Sequence, residues 1–346
     1  MNTEPSASCP RVTVKPCTSP FSNQYIGLLL LLIITLFLSA CDKPKSENPK
    51  YVVGILNPVP GLEGIVTSFK QNLTTHFEQD DRDIEFIHPT IIKLDEIDAT
   101  LRSMQERQVD LVYTVATPPT IKAKKLFDGN GPDIIFAPIY DPIRSGVVSK
   151  LVNSGENITG IKVGGSNAKA LEWLLTAAPN VKRILVPTSN SYKAELFSFS
   201  DLQLAADKLN IELVSVETKT IEKLESVLDT PPEKIDAIWL LHSAYLIPKV
   251  RLFVEAAIKH KIPLVSGTGQ ARRGVMISYG VYYHSVGKHA ARLAYQLSHG
   301  ISANDMPIET ADFFLGINLK TASAAQVNIP QELLLQAEKI ILNEAH

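Results

Sequence analysis

The sequence predicts an α/β chain of two doubly wound parallel-sheet lobes joined by crossing segments. Three observations carry that expectation. Short strand-like runs alternate with helical patterns from residue 51 onward. The runs are apolar on both faces, which suits strands covered on two sides by helices. The series also occurs twice, in a chain of 346 residues that is too long for one small core.

The first element to justify is an apolar one. From Tyr25 to Ala40 the chain reads YIGLLLLLIITLFLSA, preceded by Arg11 and Lys15. As a helix it would reach only about 24 Å, short of a comfortable membrane span. A basic flank, an apolar core and small residues before a cleavage point fit a secretory signal. Leu38-Ser39-Ala40-Cys41 resembles the lipobox of bacterial lipoproteins, in which the cysteine takes a diacylglyceryl group and the peptide is cut just before it. An uncleaved N-terminal anchor with an incidental cysteine is the competing reading. On the first reading residues 1–40 are a signal peptide and 41–50 a tether, with Cys41 lipidated and the rest outside the cytoplasm beside a membrane. Asp42 resembles an inner-membrane retention signal of some Gram-negative bacteria.

Cleavage leaves about 306 residues with a net side-chain charge near −3, from −2 for the whole chain. So mild a charge argues against nucleic acid as the main partner. The cysteines are Cys9, Cys17 and Cys41. After cleavage none is left for a disulfide, a metal site or a thiol nucleophile in the folded body.

Expected strands in the first series are YVVGIL (51–56), IEFIHP (84–89), DLVYTV (110–115) and DIIFAP (133–138), with a helix over about 62–77. The second series holds KRILVP (182–187), IELVSV (211–216), DAIWLL (236–241), IPLVSG (262–267) and GVMISYG (274–280). The glycine-bearing stretch 157–165 reads as the boundary between the series, either an exposed hairpin or a crossover. Lobe 1 is expected over 51–162 plus about 282–312, and lobe 2 over 163–281 plus about 313–346. Crossings are expected near 160–165, 279–283 and 313–318, with a helix over about 284–299 returning to lobe 1 and a C-terminal helix on lobe 2.

Several longer runs carry a family resemblance. They are IIFAPIYDPIRSGVVSKL, NITGI, PNVKRILV, KIPLVSGTGQARRGVMISYGVYYHSVGKHAARLAYQLSHG and MPIE with the later LGINLKTA. In order and spacing they resemble the ABC-transporter substrate-binding protein family that includes tryptophan- and tyrosine-binding lipoproteins. The resemblance covers nearly all of 51–330. It implies a type I periplasmic-binding fold, a small-molecule ligand held between the lobes and delivery to an ABC permease with its ATPase. No cofactor and no metal are expected, and a monomer is. A lipoprotein that presents its solute to a signalling receptor would read the same.

Ligands of open α/β sheets lie beyond the carboxyl ends of strands, where first helical turns offer free N–H groups. In lobe 1 that position selects Asn57 and Pro58, Ala116 and Thr117, and Tyr140 and Asp141. Thr117 reads as an N-cap before a proline. The resemblance adds weight to Asp141, since an aspartate–proline pair stands there near the family's cleft. In lobe 2 the candidates are Ser166, Asn190, His242, Ser243, Tyr245 and Thr268, with Tyr282 as an aromatic wall. Tyr113 and Tyr279 read as core or hinge packing. Amino-acid-binding members tend to carry an aspartate before the position of Ser243, whereas His242-Ser243-Ala244 stands here, so an ammonium would fall to Asp141 or Glu63. Of the histidines, His242 alone lies at a predicted mouth; His284, His289 and His299 read as surface residues.

Catalysis finds no pattern. Gly-x-Ser-x-Gly, His-Glu-x-x-His and the phosphate-loop motif are all missing. Adjacent strand residues point to opposite faces, so Ser243 and His242 make a poor nucleophile–base pair.

Overall fold

Both sheets grow from strands whose two faces are apolar. The computed structural model describes residues 49–89, 91–127, 131–232 and 234–342. The apolar stretch 25–40, Cys41 and the tether up to residue 48 lie outside the described residues. Among those described, no helix is long and apolar enough to cross a membrane.

The chain from Pro49 onward belongs to one unit. It runs β1 (Tyr51–Leu56), α1 (Glu63–Gln79), β2 (Ile84–Ile87), α2 (Ile97–Glu106), β3 (Leu111–Thr114), α3 (Thr117–Phe127), β4 (Asp133–Ile139) and β5 (Ile158–Lys162). Then follow α4 (Asn167–Ala177), β6 (Arg183–Thr188), α5 (Lys193–Lys208), β7 (Glu212–Glu217), α6 (Ile221–Asp229), β8 (Ala237–Leu240), α7 (Val250–His260), β9 (Leu264–Ser266) and β10 (Ile277–Gly280). The remainder is α8 (Tyr283–Leu297), β11 (Glu309–Thr310), β12 (Phe314–Asn318), α9 (Leu319–Ala324), α10 (Gln331–Gln336) and β13 (Lys339–Ile341).

The first sheet has the order β11-β5-β4-β3-β1-β2 and is parallel throughout. Its strands alternate between two cores, as a period of two requires. Val53, Ile55, Tyr113 and Ile135 face α1 and α8, while Leu56, Val112, Ile134 and Phe136 face α2 and α3. The second sheet has the order β13-β12-β10-β9-β8-β6-β7, and the fully buried Trp239 is the largest side chain of its core. Two α/β lobes with mainly parallel sheets are therefore present.

The details correct or narrow the expectation in three places. β12 runs antiparallel to β10, so the second sheet is mixed. It enters from the first lobe and has no helix in front of it to turn it round. Of the two readings of 157–165 the hairpin fails: 158–162 form β5 on the first sheet, and the chain crosses to the second lobe just after it. The C-terminal helix packs on the second lobe through Leu333, but it is only six residues long (α10) and is followed by β13 at the sheet edge. Lys339-Ile340-Ile341 is too brief an apolar run to distinguish a strand from a helix by pattern.

The chain passes between the sheets after β5, after β10 and between β11 and β12. The second passage sends α8 back against α1. A Cβ on Gly287 would lie 2.4 Å from the Ile65 carbonyl, so only glycine lets the two helices approach this closely. Ser68 Oγ donates to the His284 carbonyl across the same contact at 2.7 Å.

Candidate functional site

The loops beyond the carboxyl ends of the strands carry the candidate residues. Beyond β1, Asn57 is fully buried. Its Oδ1 accepts from Val59 N at 3.0 Å and its Nδ2 donates to Glu63 Oε2 at 2.7 Å. Pro58 follows, partly exposed. Beyond β3, Ala116 adopts φ 74°, a left-handed conformation that costs a non-glycine residue and concentrates at functional loops. Thr117 is the first residue of α3 rather than its cap. The turn is instead held by Thr120 Oγ1, which bonds the Ala116 carbonyl at 2.8 Å.

Beyond β4 the two lobes touch. Tyr140 is only 3% exposed, and its hydroxyl donates to Asp201 Oδ2 of α5 at 3.0 Å. Its ring centroid lies 5.2 Å from that of His242. Asp141 accepts from Ile143 N at 3.1 Å and Arg144 N at 2.9 Å, and pairs with Arg144 Nε at 2.7 Å. Arg144 in turn reaches Asp201 Oδ2 at 2.8 Å and lies over the Phe197 ring at 4.6 Å. A hollow of about 250 Å³ opens beside this network, bordered by Tyr140, Asp141, Arg144, Lys162 and Asp201.

The electrostatics follow the contacts. Burial acts to raise the Asp141 carboxyl, but the hydrogen bonds and charge of Arg144, with the Ile143 N–H, hold it below the usual carboxylate range. Burial, reinforced by Asp201, pushes the Tyr140 phenol up. Burial brings the His242 imidazole down to about 4, so it stays neutral near neutral pH.

In lobe 2 one carboxylate organises two loops. Glu195, in the first turn of α5, is 1% exposed. It accepts from Ser189 N, from Ser189 Oγ at 2.6 Å, from Asn190 N at 3.0 Å and from Ser243 Oγ. Ser243 Oγ also accepts from Tyr245 N and Leu246 N, both at 3.2 Å. Its hydroxyl is thus committed to holding the loop. Asn190, at φ 54°, is exposed and donates to Glu217 Oε1 at 3.0 Å. Ser166 stands at the N-cap position of α4, yet its hydroxyl donates to the Gly267 carbonyl at 2.6 Å instead of capping. Thr268 is buried, its Oγ1 2.7 Å from Ser266 Oγ. Lys249 Nζ lies 3.5 Å from the Tyr245 ring centroid.

The structure therefore brings Tyr140, Asp141 and His242 together, and ties Asn190, Ser243 and Tyr245 into one loop cluster. Tyr282 is placed elsewhere. It stacks on Phe314 at the second and third crossings, with centroids 5.0 Å apart.

Several residues escaped the sequence reading. Arg144 left a faint signal, three residues after Asp141. Asp201, Phe197 and Glu195 left none, lying on a helix whose orientation only packing fixes. His88 had the same signal as His242 and was overlooked: it directly follows β2, so His242 is not alone at a strand mouth. Its Nε2 lies 3.9 Å from Glu63 Oε1 and has no hydrogen-bond partner among the described residues. Among the described residues no group of His, Cys, Asp and Glu is arranged to hold a metal.

Comparison with known proteins follows the same outline. A tyrosine-binding protein of Clostridioides difficile is 27% identical over 205 residues, which span 59% of this chain and 59% of that protein. A Streptococcus pneumoniae ABC domain solved in complex with L-Trp is 22% identical, with a TM-score of 0.73, covering 84% of this chain and all of that one. A ligand-free, open substrate-binding protein with adhesive properties from Clostridium difficile is also 22% identical, with a TM-score of 0.69 over 85% of this chain and all of that one. At such identities the solved structures share the fold with this chain. The profile of the ABC transporter substrate binding protein family matches residues 55–341, nearly the whole described chain. With two mainly parallel α/β lobes meeting at Tyr140 and a family match that spans both, this chain belongs to the ABC transporter substrate-binding proteins.

Proposed function

We propose that this protein captures a small molecule of the amino-acid, aromatic or small-carboxylate class between its lobes and delivers it to an ABC permease from a lipid anchor at Cys41. The family match over both lobes is the observation that carries the reading. The amino-acid class draws on a relative named for tyrosine and a structural neighbour solved with L-Trp. Binding rather than catalysis is supported by the role of Ser243, whose buried hydroxyl holds its loop through Glu195 and two backbone amides. Ligand contacts on both lobes coexist only when the cleft is shut. Binding therefore shifts the population toward closure, and the closed shape is what a permease reads.

A thermal-shift screen with L-tryptophan, L-tyrosine, other amino acids, nucleobases and small organic acids tests this. Saturable stabilisation by one of these classes supports the reading, and a flat response to all of them removes it. The anchor has its own test. Cys41→Ser should release the protein from membranes, whereas persistence in the membrane fraction would point to an uncleaved helix.

A further inference from the structure

The carboxylates around the cleft differ in whether a cation already answers them. Asp141 and Asp201 share Arg144, at 2.7 and 2.8 Å. Glu195 is enclosed by four donors and withdrawn from solvent. Glu63 stands apart. It begins α1 just beyond the carboxyl end of β1, with 42% of its side chain exposed. Asn57 Nδ2 holds its Oε2 at 2.7 Å, which leaves Oε1 turned toward His88. Among the described residues no lysine or arginine pairs with it.

His88 does not fill that role. Its side chain is 11% exposed, and Nε2, 3.9 Å from Glu63 Oε1, is too far for a hydrogen bond. Burial lowers its pKa and Lys70 adds to the effect, against the pull of Glu63, so near neutral pH the ring is uncharged. A sequestered ring nitrogen without a partner among the described residues is uncommon, and here it faces Glu63 Oε1. A nitrogen about 2.8 Å from each of two atoms so spaced would satisfy both, and that is the length of a charge-assisted hydrogen bond.

We infer that Glu63, oriented by Asn57 and backed by His88, receives the positively charged nitrogen of the ligand. The inference rests on the receptor reading above and narrows its substrate class to solutes that carry an ammonium group. It assigns the charge to lobe 1, on the loop after β1. Asp141 keeps a different task, holding Arg144 between the lobes. A negative residue in the first helical turn also suits the dipole of α1. That role alone would affect stability and leave ligand selectivity untouched.

Calorimetry on the full chain in mild detergent, with L-tryptophan, tryptamine and indole-3-propionate as probes, separates the possibilities. The wild type should bind one or both amines more tightly than indole-3-propionate. Glu63→Gln, which preserves the acceptor for Asn57, should weaken amine binding by about tenfold or more while indole-3-propionate is held as before. Glu63→Asp, which keeps the charge but retracts it, should lose less, and melting curves confirm that each variant is folded. Equal affinity of wild type and Glu63→Gln for the amines overturns the assignment. A wild type that binds indole-3-propionate alone overturns it too and leaves the receptor reading standing. A wild type that binds no probe, and is stabilised by nothing in the wider screen, overturns both.

Discussion

Around Glu195, Ser189 and Asn190 from the preceding loop and Ser243 from 48 residues further along the chain meet at one carboxylate. Four hydrogen bonds to a group that is 1% exposed replace the water it has lost. Removing the charge while keeping the shape turns acceptors into a mixed amide and leaves at least one buried donor without a partner. Glu195→Gln should therefore cost about 2 kcal/mol, read as a lowered urea midpoint with an unchanged m-value. His242 makes a second prediction at this scale. Its imidazole titrates near pH 4 in the fold and near 6.5 when unfolded, so between those values the unfolded chain binds more protons. Stability should be fully present above about pH 6.5 and fall as pH drops toward about 4. His242→Gln should flatten that part of the profile, measured by denaturant titration at stepped pH. Of these residues, His242 and Ser243 were legible as strand-end positions. Glu195 was not, because nothing in its local sequence says that it is buried.

At the scale of elements, apolar periodicity located nine strands to within a few residues, because strands covered on both faces write their burial into consecutive letters. The strands β5, β11, β12 and β13 were missed or read as crossings and helix. Each is short or lies at a lobe passage, where pairing partners come from distant chain. The α1–α8 contact shows the same limit. Gly287 looks like any helical glycine in the sequence, yet it sits against the Ile65 carbonyl. Gly287→Ala should force the helices apart and destabilise the chain by about 1–3 kcal/mol, whereas helix propensity alone would make the change stabilising. A melting temperature above that of the wild type would show that the contact is looser than it appears.

For the whole molecule, what matters is how the lobes engage. Arg144 carries charge from the Asp141 turn in lobe 1 to Asp201 on α5 in lobe 2, and stacks on Phe197 beside it. All three side chains are partly solvated, so screening limits the strength of the pair. Its position matters more than its strength, since only lobes in contact can make it. Arg144→Ala leaves two carboxylates facing each other across the passage. The variant should show a larger radius of gyration by X-ray scattering and bind ligand about threefold or more weakly. An unchanged radius and affinity would mean the pair contributes nothing to closure.

Two α/β lobes, their parallel strands and the loops that face outward from them were determined by the sequence itself. Burial of regular elements imposes periods of two and 3.6 on neighbouring residues, and neighbours are what a sequence records. The tertiary structure alone decided which carboxylate is neutralised, which is enclosed and which stands open. Asp141, Asp201, Glu195 and Glu63 are equivalent as letters. Their charges are distinguished by partners up to 61 residues away, brought within hydrogen-bond distance only by the fold.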